Sequence, residues 1–478
     1  MEPAPVRSFI GALVAAAACV HAQSSFVLLP SAETAPANSF AVVRAVSGDG
    51  NVIAGSSRQL AGERAYVWRR AEEEWMRVQL PDDTYGSGLG FASRALCLSV
   101  DGNVVGGMSG RGASVASWAS KYPAYWSNVL TTPQVHRVGS APGVLSGTDA
   151  AGTQFVGYSA GLPYFECLGQ PPGFLNSGLV RYSNSQFEHV VPPTRCEPPY
   201  EYRYSSGFRT GQSMSADGST VAAHRRFMPP TGAAHHPIAL PVSNIQAQLP
   251  APSGTYAQSG GGAFISSPDG TVIVGQMDYA PSDSEYWDWF KIVAWRDMVP
   301  ELVSASSPTA FATCTNYDGS VIGGTSSEGT EYVILITGTD YTGVATLWIK
   351  SGDLPYRRVR LDHYLRSHGI DPGDFFPTWV CGMSWDGRTI AGVGRNGAGV
   401  YSSFVAFIES PVHVCNDLDF NNDGLWPDNL DLEDFLSVFG GGPCSRPGCD
   451  GLDFNADGLF PDHADLEAFL RVFSGGPC

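Results

Sequence analysis

Basic residues are scarce in this chain: 28 Lys and Arg stand against 46 Asp and Glu, for a net charge of −18. A surface that neutralises phosphates needs clustered cations, so nucleic acid is excluded as a partner. No apolar run approaches the roughly 20 residues needed to cross a bilayer, which excludes a transmembrane helix. Catalytic signatures are also lacking. No G-x-S-x-G, Walker or dinucleotide pattern stands in a strand–turn–helix context. Charged residues of both signs reach only 15%.

Glycine and proline are plentiful instead, at 56 and 34 residues, with 11% aromatics. That balance points to many strands and turns. A chain of 478 residues is too long for one small core, so several domains or a repeat array are expected. The first 22 residues read as an export leader: Arg7 is the basic flank, Phe9 to Val20 the apolar core, and Val20-His21-Ala22 the small-residue cleavage site. A lipid anchor through Cys19 is the alternative. The mature chain is expected to be secreted, extracellular or at the cell surface, in an oxidising compartment where its cysteines pair.

Between the leader and the tail, one pattern recurs. Phe264 to Gly275 reads as strand, Asp-Gly turn, strand, with the glycine supplying the positive φ of a two-residue hairpin turn. The Asp-Gly pair returns at Asp49, Asp101, Asp217, Asp318 and Asp386, and a degenerate copy spans Ser146 to Gly152. Most copies run into an apolar strand ending in glycine, such as Val52-Ile53-Ala54-Gly55. A third segment follows, often ending in Trp, as in Ala65-Tyr66-Val67-Trp68, and then a fourth, as in Arg77-Val78-Gln79-Leu80-Pro81. Four strands in about 50 residues is the period of a propeller blade.

The seventh unit lacks its own fourth strand. Ser25-Phe26-Val27-Leu28-Leu29-Pro30 matches the fourth strands elsewhere, Ala247-Gln248-Leu249-Pro250 among them, so the mature N-terminal strand is expected to close the ring and remove an exposed edge. The expected architecture is mainly β: a seven-bladed propeller over residues 23–410, followed by a small α-helical module over 411–478. The motif S-x-D-G-x-x-(I/V)-x-G followed by A-x-x-W, over about residues 41–409, resembles bacterial secreted HAF-repeat or autotransporter-type β-propellers. The segment Leu361 to Gly369 is similar to the helical insertion in that group's final repeat. Kelch repeats share the period but order their glycines and aromatics differently.

Cys167 and Cys196 flank a Pro-rich insertion and are expected to form a disulfide. Cys97, Cys314 and Cys381 fall on equivalent inner strands and are read as free buried thiols, with a Cys314–Cys381 bridge as the alternative. His235-His236 has no helical metal motif beside it and is read as a loop pair. Glu285-Tyr286-Trp287-Asp288-Trp289-Phe290 is read as inter-blade packing, or else as a surface that stacks on sugar rings.

The tail is different in kind. Residues 415–478 hold thirteen Asp and Glu against two Arg, in two copies of one 30-residue unit. Asp419, Asn421 and Asp423 alternate at loop positions 1, 3 and 5, followed by Gly424; Asp453, Asn455, Asp457 and Gly458 repeat them. Alternating oxygen ligands and a glycine bend are the opening half of an EF-hand loop, and the carbonyls of Leu425 and Leu459 take position 7. Position 12 holds Leu430 or Ala464, which cannot ligate. The closing carboxylate is therefore at position 10 (Asp428, Asp462) or position 13 (Asp431, Asp465). An apolar helix follows each loop. This arrangement resembles dockerin modules, which implies two Ca2+ sites and docking to a cell-surface receptor or surface retention. Cys415–Cys444 and Cys449–Cys478 would staple each unit, with crossed pairings open.

The expected function is a non-catalytic propeller that binds a protein or glycan ligand. The rival is a polysaccharide hydrolase or lyase with the same tail. Two carboxylates about 5–10 Å apart at a funnel mouth would favour the hydrolase.

Overall fold

The structure, a computed structural model, describes residues 24–30, 41–59, 62–71, 74–83, 91–111, 122–139, 143–160, 177–183, 186–189, 201–205, 211–228, 234–241, 247–252, 261–278, 290–304, 309–327, 343–350, 355–409, 420–421, 428–445, 452, 454 and 462–474. The fold is built from the repeated turn outward. At Ser267 the main chain donates to Val272 O (2.8 Å), and Gly270 N donates back to Ser267 O (2.9 Å). The Ser267 hydroxyl donates to Asp269 Oδ1 (2.6 Å) and accepts from Val272 N (2.9 Å). Asp269 Oδ1 also accepts from Thr271 N at 3.0 Å. This is a four-residue connection, not the two-residue turn expected, because the Ser and Asp side chains close their own hydrogen-bonded rings within it. Gly270 takes φ +75°, a left-handed conformation that an L side chain resists.

Ser47, Ser99, Ser215 and Ser384 make the same bonds. Asn316 substitutes its amide oxygen for the hydroxyl, accepting from Val321 N at 2.9 Å. In the degenerate copy Asp149 stands at the Ser position, and its Oδ1 accepts from both Thr153 N (2.7 Å) and Gln154 N (3.0 Å). The turns then bond to one another in a closed circuit: Trp385 N to Gly48 O, Asp49 N to Val100 O, Val100 N to Ala150 O, Ala150 N to Ala216 O, Ala216 N to Pro268 O, Asp269 N to Tyr317 O, and Tyr317 N to Trp385 O. Pro268 has no N–H and Asp269 donates in its place, as Asp49 does beside Gly48.

The strands radiate from this ring. A short β1 (Ser25–Leu28) precedes β2 (Ala41–Val46), β3 (Val52–Gln59), β4 (Gly62–Ala71) and β5 (Glu74–Gln79). Next come β6 (Phe91–Leu98), β7 (Val105–Arg111), β8 (Tyr122–Ser127) and β9 (Gln134–Arg137). Strands β2 to β9 share one eight-stranded sheet, because Gly62 and Glu63 pair in parallel with Phe91 and Ala92. A four-stranded meander follows in β10 (Gly143–Thr148), β11 (Gln154–Ala160), β12 (Ser177–Ser183) and β13 (Gln186–His189). Another uses β14 (Glu201–Ser205), β15 (Thr220–Met228), β16 (Ala234–Pro241) and β17 (Ala247–Gln248). The next two are β18 (Gly261–Ser266), β19 (Val272–Asp278), β20 (Phe290–Arg296) and β21 (Val299–Leu302), then β22 (Ala310–Thr315), β23 (Val321–Ser326), β24 (Val344–Ile349) and β25 (Arg357–Arg360).

Helix α1 (Leu361–Ser367) leads into β26 (Phe376–Met383), β27 (Thr389–Arg395) and β28 (Tyr401–Phe407). Their fourth strand is β1, which pairs antiparallel with β28 from Ser25–Phe407 to Leu28–Phe404. The fold is thus mainly β in a propeller arrangement. The expectation of seven separate sheets is corrected: four are independent meanders of consecutive strands, one is closed by β1, and one is eight-stranded.

Two devices recur from unit to unit. The Trp that ends a third strand donates its indole N–H to the proline carbonyl at the end of the preceding unit's fourth strand: Trp68 to Pro30 (3.1 Å), Trp126 to Pro81 (2.7 Å) and Trp295 to Pro250 (2.6 Å). Trp68, Trp126, Trp295 and Trp348 are among the largest fully buried side chains. The second device is a β-bulge in six inner strands, always three residues before the turn's first residue: at Arg44, Leu96, Ser146, Phe264, Thr313 and Cys381. A bulge kinks its strand and re-aims the extra side chain. The kink lays the carbonyls of Val42, Arg94, Val144, Phe311 and Trp379 over Gly55, Gly107, Gly157, Gly324 and Gly392, where a Cβ would collide. That close approach accounts for the glycine inside these five second strands.

In the tail, α2 (Asn429–Phe439) and α3 (His463–Phe473) pack through Phe420, Phe435, Phe454 and Phe469, all fully buried. Phe435 and Phe469 stack with centroids 4.0 Å apart and planes 8° from parallel, the contact that relates the two units.

Candidate functional site: an axial chamber and a paired loop–helix tail

The ring of turns surrounds a small chamber that opens to solvent. Ala216, Pro268 and Trp385 of the turns line it, as do Arg44, Thr313 and Cys381 from the bulges and Gly211 and Gln212 of the fourth repeat. Gln212 bonds across two units: its Nε2 donates to Thr315 O (3.0 Å), and its Oε1 accepts from Thr315 N (2.8 Å). A Cβ on the adjacent Gly211 would meet the Leu96 carbonyl and lie 2.8 Å from Ala45. Residues 211–212 therefore reach the first, second and sixth repeats at once and form the floor of the chamber. Trp385, which lines the chamber, lies with its ring centroid 5.5 Å from that of the half-exposed Tyr317.

Asp149 is the one carboxylate lining the chamber among the described residues. Both its oxygens serve the turn, Oδ2 accepting from Thr153 Oγ1 at 2.7 Å. Other polar side chains are similarly engaged. Thr148 Oγ1 donates to Gln154 O at 2.9 Å, and Thr313 Oγ1 donates to Val380 O. Burial pushes the Cys381 thiol up to about 12, with Arg44 acting against it. Burial raises the Cys314 thiol as well, reinforced by Cys381, and Cys97 is pushed up to about 12. All three thiols are free and buried. All three lie on the first strand of their unit, as expected; Cys97 and Cys314 stand two residues before the turn, and Cys381 stands three before and occupies the bulge. A one-residue offset sends a strand side chain to the other face.

His235 and His236 lie inside β16, opposite Arg226 and Arg225, so the loop expectation is corrected: the strand begins at Ala234. Of the acidic aromatic run, only Phe290 is described, as the first residue of β20. Residues 285–289 lie outside the described residues, as do Cys167, Cys196, Cys415, Cys449 and Cys478. Cys444 is disulfide-bonded.

In the tail, Asp419, Asp423, Leu425, Asp453, Asn455, Asp457 and Leu459 lie outside the described residues. The two carboxylate positions left open by the loop spacing differ sharply in environment. Asp428 caps α2, its Oδ1 accepting from Leu430 N at 2.7 Å, and Asp462 caps α3 through Ala464 N at 2.7 Å. Both are capping residues of the usual kind. Asp431 and Asp465 are fully buried. Each directs Oδ2 back to its N-cap amide at 2.9 Å, and Asp431 Oδ1 also accepts from Asn421 N at 3.2 Å. Among the described residues, no group of three or more His, Cys, Asp or Glu is placed to hold a metal, and no helix is long and apolar enough to cross a membrane.

No family model matches the chain, and no curated protein matches it. Among solved structures it is similar to oligogalacturonate lyase from Vibrio parahaemolyticus, at 12% identity over 80% of this chain and 97% of that one, with a TM-score of 0.46. It is also similar to the β-propeller domain of the Trilobed protease from Pyrococcus furiosus, at 8% identity over 78% of this chain and 98% of that one, with a TM-score of 0.44. TolB from Acinetobacter baumannii shows 11% identity over 66% of this chain and 64% of that one, with a TM-score of 0.36. Likeness at this level carries no statement about activity.

Proposed function

We propose that this chain is a secreted, non-catalytic propeller that binds a protein or glycan ligand and carries a calcium-stabilised tail for anchoring or docking. We read the ring as seven blades, with the eight-stranded sheet as two blades joined at Gly62–Glu63. The circuit of seven turns supports that count. The observation that carries the binding reading is the chamber itself. Among the described residues Asp149 is its one carboxylate and is bound into a turn, whereas glycoside hydrolysis needs two working carboxylates.

For the tail, the donor set fits a hard cation. Asp431 and Asp465 are carboxylates with no exposed surface, and burying such charge is costly unless it is compensated. Each belongs to a loop of alternating Asp and Asn oxygens, the chemistry Ca2+ takes. The ion would supply the counter-charge that lets each loop close on its helix. In this reading Asp431 and Asp465 close the sites, Asp428 and Asp462 remain caps, and Cys415 is the partner of Cys444. Calorimetric titration of the oxidised full chain should show two calcium sites with Kd on the order of 10⁻⁴–10⁻³ M. The double variant Asp431→Asn, Asp465→Asn should lose both. Absence of calcium heat in the intact chain would remove the metal from the proposal. Glycan-array and protein-array binding by the full chain tests the ligand reading.

A further inference from the structure

The seven turns form one end of the ring, and the second residue of each turn belongs to the main-chain circuit that joins neighbouring units. Five of those second residues are small or aliphatic: Gly48, Val100, Ala150, Ala216 and Pro268. The other two are Tyr317 and Trp385, in adjacent repeats whose turns bond directly, Tyr317 N to Trp385 O at 2.9 Å. Tyr317 keeps 47% of its surface in solvent, and Trp385 is half-buried. Their ring centroids are 5.5 Å apart and their planes are inclined by 53°, so the pair makes an open wedge, not a closed stack. A Cβ at Gly48 would lie 2.8 Å from the Trp385 indole. The missing side chain there gives the indole its place on the turn face.

The charge around the wedge has one prevailing sign. Asp318 and Asp386 directly follow the two rings. Asp269 and Asp49 flank them in the neighbouring turns, through Asp269 N to Tyr317 O (3.1 Å) and Trp385 N to Gly48 O (3.0 Å). In all four, Oδ1 accepts from the main-chain N–H two residues on at 3.0 Å. Those bonds fix the carboxylates in place around the rings. Two cations bond to these turns: Arg388 Nε lies 3.7 Å from Asp386 Oδ2, and Arg296 Nη2 donates to Asp318 O at 3.2 Å. Arg44 belongs to the wall of the chamber. Four carboxylates against two guanidiniums leave the turn face acidic at the wedge.

An aromatic face attracts a cation held within about 6 Å of its centroid, and Trp and Tyr are the strongest such rings. A quaternary ammonium suits this place best. Its charge is spread over methyl groups that pack on the rings, and it has no N–H that must find an acceptor among carboxylate oxygens already serving the turns. We propose that the turn face is a recognition site for a quaternary ammonium solute of the choline type, with its trimethylammonium group in the wedge of Tyr317 and Trp385. The site goes beyond the ligand and calcium readings above and holds or fails without them.

Choline and its uncharged tert-butyl analogue are titrated calorimetrically into the full chain. Choline should bind about tenfold tighter, the analogue having the same shape without the charge. Phosphocholine, the form in which a lipid headgroup carries this cation, should bind at least about threefold more weakly than choline, because its phosphate meets the aspartates. Salt at about 1 M, where the screening length is about 3 Å, should narrow the preference for choline over the analogue to about threefold.

Tyr317→Leu should bring choline and the analogue to within about twofold of each other, whereas Tyr317→Phe keeps the ring face and should keep the preference. Thermal unfolding of each variant separates loss of the site from loss of the fold, and Trp385→Leu, read in the same way, carries the test if Tyr317→Leu does not fold. Absence of choline binding, equal binding of choline and the analogue, phosphocholine binding as tightly as choline, or a preference retained in folded Tyr317→Leu overturns the proposal. Array binding and calcium heat are separate readouts, so failure of either leaves this site standing, and failure of this site leaves both.

Discussion

The Trp–Pro ties between units make a prediction that two conservative substitutions can separate. Trp126 is fully buried and its Nε1–H donates to Pro81 O at 2.7 Å. Trp348 holds the equivalent place one unit before the ring closes, and its Nε1 is buried with no hydrogen-bond partner among the described residues. The difference lies in the preceding fourth strand, which ends Leu80-Pro81 before Trp126 but Val303-Ser304 before Trp348. Trp→Phe removes one ring of the indole at either site, so the packing loss is shared. At Trp126 it also removes a net hydrogen bond worth about 1 kcal/mol and leaves a carbonyl less well satisfied, which together cost about 1–2 kcal/mol. At Trp348 it removes a buried donor without a partner, which offsets part of the packing loss. Urea midpoints of the full chain should therefore fall further for Trp126→Phe than for Trp348→Phe, by an amount equal to about 1–2 kcal/mol at a common m-value. Equal losses, or a larger loss at Trp348, would refute the claim that these bonds tie the units together.

Two further tests address the turn and the bulge. Gly107→Ala should destabilise the chain by about 3 kcal/mol or more, because the new methyl meets the Arg94 carbonyl, a backbone atom with little room to yield. Gly387→Ala should cost only about 1–2 kcal/mol, since its φ of +73° is strained for Ala but its nearest neighbour would be 3.9 Å away; both read out as urea midpoints. Burial lowers the Lys291 ammonium to about 8, below its ordinary value of about 10.4. The unfolded chain thus binds the extra proton between those values, so stability should rise as pH goes from 8 towards 10, and Lys291→Met should flatten that rise.

What the sequence made legible was local chemistry. Ser-x-Asp-Gly announces its turn because each of its bonds lies within six residues, and five such turns with two variants of them announce a repeat. The closing strand was readable for a similar reason: Leu29-Pro30 matches Leu80-Pro81 and Leu249-Pro250, and in the structure the carbonyls of these prolines accept from Trp68, Trp126 and Trp295. The turn length was misjudged because side-chain rings inside a turn add residues that an Asp-Gly pair does not reveal. The bulges were missed although their mark was in plain view. The glycine at the end of Val52-Ile53-Ala54-Gly55 and its counterparts is a strand glycine that neither turns nor caps, and a strand glycine signals close backbone approach. In the tail, spacing alone left Asp428 and Asp431 equivalent. Burial separates them, since Asp428 is a half-buried cap and Asp431 has no exposed surface.

The fourth repeat shows how that glycine rule reaches the candidate site. Eight residues after the turn's first residue, Gly55, Gly107, Gly157, Gly275, Gly324 and Gly392 stand in the other six repeats, and Ala223 stands in the fourth. A methyl at this position cannot sit beneath the carbonyl that a bulged inner strand would bring over it, as the collisions at five of the glycines show. The fourth repeat accordingly keeps only an isolated bridge from Met214 to Val221 next to its turn, while β14 pairs farther out, between Glu201–Met228 and Ser205–His224. Freed from the usual register, residues 211–212 cross towards the axis, and Gln212 finds in Thr315 the main-chain partners that a ladder would have given. Those residues are the floor of the chamber that Arg44 lines.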